Sequence, residues 1–398
     1  MDQWNRHRQE NAIRILEALW HDRSGSRAQL ARSLRLDRST VRAIADHLVE
    51  WNVVHELDSA PGDIATGRPA MQLGLRADYG YSLGVEVNAE TVHVVAVDLS
   101  GKMISDHYGS RSSPTPAHLT EDIAAGIQSA SSKVSSDTHG ALLGVAVGVG
   151  GIVDSDSGTV LASRILRITQ PFALGPALEA LFPVPVRVYN DADACAVGEL
   201  EYGQPSVITT RQPDDILFVL VRYITSQRQL NAGLGIILDG HLRESHSGAG
   251  REFRSPFVDS ESSEQFRVAD LLRHGELGTG TDLESAFADE LGVSVAFLVH
   301  ALDLRHVILG GDVLSHPFEV NELQERLRHH VSTATANFAS QPLALRTPTH
   351  AHQSVPWGAA AAVIRRLFAE RSFPVSPPLQ KNQSNHMQRT SLAPKGSE

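Results

Sequence analysis

One cysteine, Cys195, stands in 398 residues. That scarcity rules out an intramolecular disulfide and any metal site built from several thiolates. Long apolar runs are lacking too: none approaches the roughly 20 residues a membrane helix needs. The opening stretch, MDQWNRHRQENAIRIL, has no apolar centre of the signal-peptide kind. A cytoplasmic protein with no membrane association is therefore expected. Lysine is missing from residues 1–78, whose 11 Arg balance 11 Asp plus Glu, whereas the remainder, with 24 basic against 35 acidic residues, carries the whole net charge of −11. Such a total opposes gross attraction to nucleic acid, but DNA phosphates respond to a patch and not to a sum. What is present, 41% hydrophobic and 20% charged residues, suits a soluble chain of two or three domains.

The patch lies early. NAIRILEALWHDRSGSRAQLARSLRLDRSTVRAIADHLVEWNVVHEL reads as three helices. Ile13, Ile15, Leu16, Leu19 and Trp20 give the first an apolar stripe at helical spacing. Ser26 suits the N-cap of the second, and Asp37 or Ser39 that of the third. The short link RLD makes the compact turn of a helix-turn-helix. Arg35, Arg38 and Arg42 recur at spacings of three and four and share a face, with Ser39 and Thr40 among them. A helix entering the major groove needs such a start, because its N-terminal residues reach base edges while flanking arginines hold phosphates. The next stretch, VVHELDSAPGDIATGRPAMQLGL, reads as two short strands around a Gly/Pro/Asp loop, the shape of a wing. Arg68, between Gly67 and Pro69, would lie near its tip, suited to a narrow minor groove. Here the chain resembles the winged N-terminal domain of ROK-family repressors, on SRAQLARSLRLDRSTVRAIADHLVEWNVV and the GRP of the wing.

From Tyr81 the pattern turns to strands. YSLGVEVN, TVHVVAVDLSG and KMISDHYG form a meander, followed by a helix and the buried strand ALLGVAVGVGGIVDSDSGTV. DILFVLVRY and LGIILDGHL open a second set, which continues through helices at 263–274 and 283–302 to HVILGGDVL. This repeated order is that of a duplicated, two-lobed actin-like ATPase fold, and the fold class is α/β. The resemblance to the ROK family of repressors and sugar kinases extends from Met1 to about Glu370, on GVGGIVDSDSG, NDADACAVGE, GIILDG, GAGREF and VILGGDV. It implies a winged helix-turn-helix over residues 1–78, one lobe over 79–190 completed by a C-terminal helix over 356–370, and a second lobe over 191–355. Residues 371–398, polar and rich in Pro and Ser, read as a disordered tail.

Against the family's kinases, parts are missing. Their first phosphate-binding turn, Asp-x-Gly-Gly-Thr, resembles Glu86-Val87-Asn88-Ala89-Glu90 here, which lacks both glycines and places the Glu90 carboxylate where a hydroxyl donor belongs. Their second, Gly-Thr-Gly-Ile-Gly-x-Gly, corresponds to QLNAGLG, where Gln229 and Asn231 replace glycines. ATP is accordingly not expected. On the sugar side the resemblance implies ligand contacts at Gly150, Gly151, Asn190, Asp191 and Glu252, with Asp191 at the position of the catalytic base. An equally open reading of Asn190-Asp191 is structural: Asp191 caps the helix ADACAVGELE while Asn190 bonds the neighbouring strand end. The family's zinc-binding His becomes Ser255, and SPFVDSESSEQF holds neither Cys nor His, so no zinc is expected. The expectation is a non-enzymatic transcriptional regulator, a repressor of carbohydrate-metabolism genes, that binds a pseudo-palindromic DNA operator as a homodimer or dimer of dimers and senses a sugar or sugar derivative.

Overall fold

The computed structural model describes residues 4–57, 71–136, 138–203, 215–224, 229–243, 253–277, 281–314, 320–335 and 343–375. Arg68 and Glu252 lie outside these residues. The chain divides into two compact units, Met1–Tyr79 with Leu367–Glu398, and Gly80–Arg366.

In the first unit, helices α1 (Arg6–Asp22), α2 (Arg27–Ser33) and α3 (Arg38–Glu50) precede a small sheet, in which β1 (Gly25–Ser26) and β2 (Val54–Leu57) flank β3 (Gln72–Leu75). Local chemistry sets the helix starts. Ser26 caps α2, its Oγ accepting from Gln29 N while the Gln29 side chain accepts from Ser26 N, a reciprocal capping box. Between α2 and α3, Arg35 adopts φ 54°, a left-handed conformation usually left to Gly or Asn, and Arg14 donates to the Leu34 carbonyl at 2.8 Å. Ile13, Leu16 and Leu19 of α1, Leu30 of α2 and Val41, Ile44 and Leu48 of α3 are fully buried. Each contributes about 1.5–3 kcal/mol of burial.

Within the tail expected from residue 371, residues 371–375 are ordered around one buried side chain. Phe373 is buried, stacked on Phe368 at 4.4 Å and on Tyr79 at 6.2 Å, while Trp20 meets Phe368 at 5.3 Å. Arg371 pairs with Glu17. An aromatic cluster thus orders residues that composition alone marks as polar tail.

The second unit holds two sheets built to one plan. Strands β4 (Gly80–Val87), β5 (Thr91–Asp98) and β6 (Met103–Ser110) form an antiparallel meander, after which come α4 (Leu119–Ser132) and β7 (Ala141–Val149). A small hairpin, β8 (Ile152–Asp154) and β9 (Thr159–Ala162), precedes α5 (Leu174–Glu179), β10 (Val186–Asn190) and α6 (Asp191–Tyr202). The order across the sheet is β10-β7-β4-β5-β6, with β4, β7 and β10 parallel. The second meander is β11 (Ile216–Ile224), β12 (Gln229–Leu238) and β13 (His241–Leu242). Then follow α7 (Arg267–His274), α8 (Thr281–Ala301), β14 (His306–Gly311), α9 (Val320–Thr335), β15 (Ala344–Arg346) and α10 (Ser354–Ala369). Its sheet order, β15-β14-β11-β12-β13, repeats the first strand for strand, including direction.

Helix α6 is buried along nearly its whole length and packs against β11 and β12 as well as β10 and β7. Small residues permit this. A Cβ at Gly235 would fall 2.2 Å from the Ala192 carbonyl oxygen, and one at Gly198 2.7 Å from Gly358 Cα of α10. The QLNAGLG segment lies in strand β12, and its Gly235 admits the backbone of α6. Two acids of α6 are paired: Glu199 accepts from Thr349 N at 2.6 Å and meets Arg346 at 2.7 Å, and Glu201 pairs with Arg365. Helix α7 starts at Arg267 and not at 263, since its first amides, Arg267 N and Val268 N, donate to the Glu290 carboxylate of α8. That cap comes from a residue over 20 positions away, beyond the reach of local pattern.

Candidate functional site

Two surfaces hold the chemistry the sequence singles out. On the first unit, Arg35, Arg38, Ser39 and Arg42 are exposed and Thr40 is half-buried, at the turn and first turns of α3. Among the described residues Arg42 has only a loose pair with Asp46, at 3.8 Å. Arg27 is different. Its guanidinium lies 2.9 Å from Asp46 and 3.1 Å from Glu56, tying α2 to α3 and β2. Asp37 holds the N-cap position of α3 with no side-chain capping bond, so the helix N-terminus keeps free amides beside the exposed arginines. The structure brings five of the six expected DNA contacts together; Arg68 is outside the described residues.

In the second unit a cleft of about 410 Å³ is lined by Gly150, Gly151, Asn190, Asp191, Arg222 and Glu264, among others. It gathers every expected ligand residue within the described residues. Gly151 has φ 135°, and a Cβ there would fall 2.4 Å from the Ala162 carbonyl oxygen, so this turn requires glycine. Asn190 Nδ2 donates to the Gly151 carbonyl at 3.0 Å, and Ser163 Oγ donates to the Gly150 carbonyl at 2.6 Å. The helix cap expected of Asp191 belongs chiefly to Asn190, whose Oδ1 accepts from Ala192 N and Asp193 N. The reason is position. Asn190 is the last extended residue, φ −62° and ψ 143°, and from there a side chain turns back onto the first helical amides. Asp191 adds one bond, accepting from Ala192 N through Oδ1 at 2.9 Å. Its Oδ2 remains for the cleft.

Facing that oxygen is a residue the motifs do not mark. Arg222 Nη2 lies 3.6 Å from Asp191 Oδ2 and bonds Glu86 Oε1. Burial pushes the Asp191 carboxyl above its ordinary range; the Arg222 charge opposes that rise and the Glu86 carboxylate adds to it. Burial works against the Arg222 charge as well, but the carboxylates of Glu86, Asp191 and Asp312 outweigh it and hold the guanidinium above its ordinary value. Breaking such a buried cluster on one side strands a charge, at about 3–5 kcal/mol. Glu90, expected to stand at the phosphate position, is exposed; neither it nor Glu86 lines the cleft, and Glu86 reaches it through its bond to Arg222, which does.

Glu264 is the other residue that motifs miss. Its Oε1 accepts from Arg273 at 2.9 Å, while its Oε2 is buried without a hydrogen-bond partner among the described residues. Arg254 and Arg164 line the same cleft but donate to backbone carbonyls, Arg254 to Asp259 and Ser262 and Arg164 to Ser263, and so fix the 259–263 turn. Ser255 is buried, with its Oγ accepting from Phe257 N and its own amide donating to Gln265 O. A hydroxyl spent in this way, in a stretch without thiolate or imidazole, does not fit a zinc ion. The signal for Arg222 was a lone arginine inside the apolar run LFVLVRY; for Glu264, in an acid- and serine-rich stretch, there was none.

Residues 82–253 match the sequence model of the ROK family. A xylose repressor of Bacillus subtilis is 24% identical over 344 residues, spanning 78% of this chain and 85% of that protein. A solved ROK family transcriptional regulator, described as a homolog of the Escherichia coli Mlc protein, superposes with TM-score 0.68 at 17% identity, covering 93% of this chain and 98% of the other. A ROK family glucokinase from Streptomyces griseus, in complex with glucose and AMPPNP, gives TM-score 0.51 at 20% identity over 72% of this chain and all of the other. Among the described residues no helix is long and apolar enough to cross a membrane.

Proposed function

From a chain whose residues 82–253 match the ROK family model behind a three-helix head, we propose a sequence-specific DNA-binding transcriptional regulator that senses a sugar or sugar derivative and transfers no phosphate. It represses genes of carbohydrate metabolism or transport, acting in the cytoplasm. The observation that carries this is α3 itself: its core side is complete, while Arg35, Arg38, Ser39 and Arg42 are left exposed around an uncapped N-terminus. Two heads of a homodimer read half-sites about one helical turn apart.

The cleft supports the sensing half of the reading. Asp191 Oδ2 and Glu264 Oε2 are carboxylate oxygens suited to accept from vicinal hydroxyls, and an unpaired buried acceptor costs about 1–3 kcal/mol until it finds such a donor. No nucleotide, metal or zinc takes part. The phosphate turn holds Asn88 and Ala89 where both glycines are needed, and Arg222 already neutralises the carboxylate that would serve as base. The test is to sequence the DNA that copurifies with the full chain, with and without a sugar panel. One enriched inverted repeat, released by one sugar, is the expected result. Random DNA under every condition refutes the reading.

A further inference from the structure

We propose that Arg222 is the positioning residue of the cleft: one guanidinium, supplied by the second sheet, that holds Glu86 of the first sheet and Asp191 at the head of α6 as a fixed pair and presents Asp191 as an ionised acceptor to a ligand hydroxyl. The proposal rests on the reading that the cleft takes a polyhydroxylated ligand.

The geometry is that of an internal counter-ion. A single nitrogen, Nη2, reaches both carboxylates, bonding Glu86 Oε1 and lying 3.6 Å from Asp191 Oδ2. Both acids are buried, Glu86 at 7% and Asp191 at 6% exposure, so neither is neutralised by water. Two like charges in such a place do not both stay ionised without a cation between them. The groups facing the cluster are few. Behind Glu86, His93 Nδ1 of β5 lies 4.0 Å from Oε2, and its Nε2 meets Asp106 of β6 at 2.8 Å. Asp312, after β14, adds a third carboxylate near Arg222 and accepts from Tyr223 N at 2.8 Å. On α6, burial raises the Cys195 thiol well above its ordinary value, so it brings no charge. Arg222 is thus the cation to which three carboxylates answer. Its register partner Asn231 lies opposite on β12 and also lines the cleft, and the Arg222 Nε, buried without a partner among the described residues, is a donor still to be used. A ligand oxygen lying beside Asp191 would find that donor and the carboxylate together.

Two measurements on the full chain test this. The first needs no ligand: thermal unfolding between about pH 6 and 8 for wild type, Arg222→Gln, and Arg222→Gln with Asp191→Asn. Without Arg222 the Asp191 carboxyl, already raised by burial, rises further above its unfolded value, so the native state binds more protons and its stability falls as pH rises. Arg222→Gln is therefore expected to unfold at lower temperature, with the gap to wild type widening toward pH 8, and Asp191→Asn is expected to restore much of the loss. A gap that is constant with pH, or not narrowed by Asp191→Asn, overturns the proposal. Should Arg222→Gln fail to fold, rescue by Asp191→Asn supports it; failure of both Asp191→Asn and Arg222→Lys to rescue folding overturns it. The second is calorimetry with D-xylose, D-glucose and N-acetylglucosamine. Wild-type affinity should be flat over this pH range, whereas that of Arg222→Gln should be about tenfold weaker at pH 6 than at pH 8, as Asp191 takes up a proton. An equally flat profile in the variant refutes the role of Asp191 as ionised acceptor. Wild type that binds none of these sugars refutes the sensing function, and the unfolding series then decides the counter-ion by itself.

Discussion

Truncating two arginines of α3 separates base reading from phosphate holding. The Arg42 side chain is 79% exposed, and its one pair, at 3.8 Å from Asp46, is of the surface kind worth about 0–1 kcal/mol. Releasing it to DNA therefore costs little. Alanine there leaves Val41, Ile44 and Leu48 packed, so the head should keep its unfolding temperature. On DNA a guanidinium has two uses. Bonded twice to a guanine edge it discriminates by about 1–3 kcal/mol, roughly 5- to 150-fold. Against a phosphate it adds affinity on any sequence and steepens the salt dependence by about 0.9 in the log–log slope. Fluorescence anisotropy of a cognate and a scrambled duplex at about 50–200 mM salt distinguishes them. For Arg38→Ala and Arg42→Ala we expect loss on the cognate duplex alone if the residue reads a base, and equal loss on both with a shallower slope if it holds a phosphate. Arg27→Ala is the control: already shared between Asp46 and Glu56, Arg27 should affect stability before DNA affinity. Cognate affinity and salt slope unchanged in both Arg38→Ala and Arg42→Ala, at unchanged unfolding temperature, would refute the assignment of α3 as the reading helix.

Incubation with ATP and glucose, N-acetylglucosamine or N-acetylmannosamine should yield no sugar phosphate, because Asp191 already faces Arg222 and the phosphate turn lacks its glycines; product that disappears with Asp191→Asn would overturn this. Gly84→Ala should lower the unfolding temperature by several degrees: its Cβ would fall 1.7 Å from the Pro356 carbonyl oxygen, and backbone yields less readily than a side chain, so the cost reaches or exceeds the usual 1–3 kcal/mol or so of overpacking. A shift under about 1 °C would show that α10 moves freely, against this packing. Glu264→Gln keeps an oxygen for Arg273 and removes a buried charge, one oxygen of which has no hydrogen-bond partner among the described residues. It should leave stability unchanged or raised while weakening sugar binding about tenfold or more, and unchanged affinity would exclude Glu264 from ligand contact. Burial, with Asp191 nearby, raises the Cys195 thiol, so it should resist thiol reagents at pH 8 until the chain unfolds; rapid labelling of the native protein contradicts that burial.

The local rules carried much of this protein. Three helices, the Ser26 cap of the second and the arginine face followed from apolar spacing, from Ser26 and from the short RLD link, all of which act within a few residues. The repeated meander was legible for the same reason, since alternation and turn residues act over one strand at a time, and the two sheets bear it out in identical order. Asn190 and Asp191 could be singled out because a strand end followed by a small-residue helix is a local pattern.

Tertiary structure alone decided the rest, and the reason is distance along the chain. Arg222 is 136 positions from Glu86, and only the juxtaposition of the two sheets makes it the counter-ion of the cleft. Glu290 caps a helix that begins 23 residues earlier, and Phe373 finds Tyr79 across nearly the whole chain. That Gly235 of QLNAGLG stands against the backbone of α6 is likewise invisible in the segment itself. Sequence pattern tells where a side chain can turn on its own element; which charge lies opposite a buried carboxylate is settled only when two elements, each already formed, close on one another.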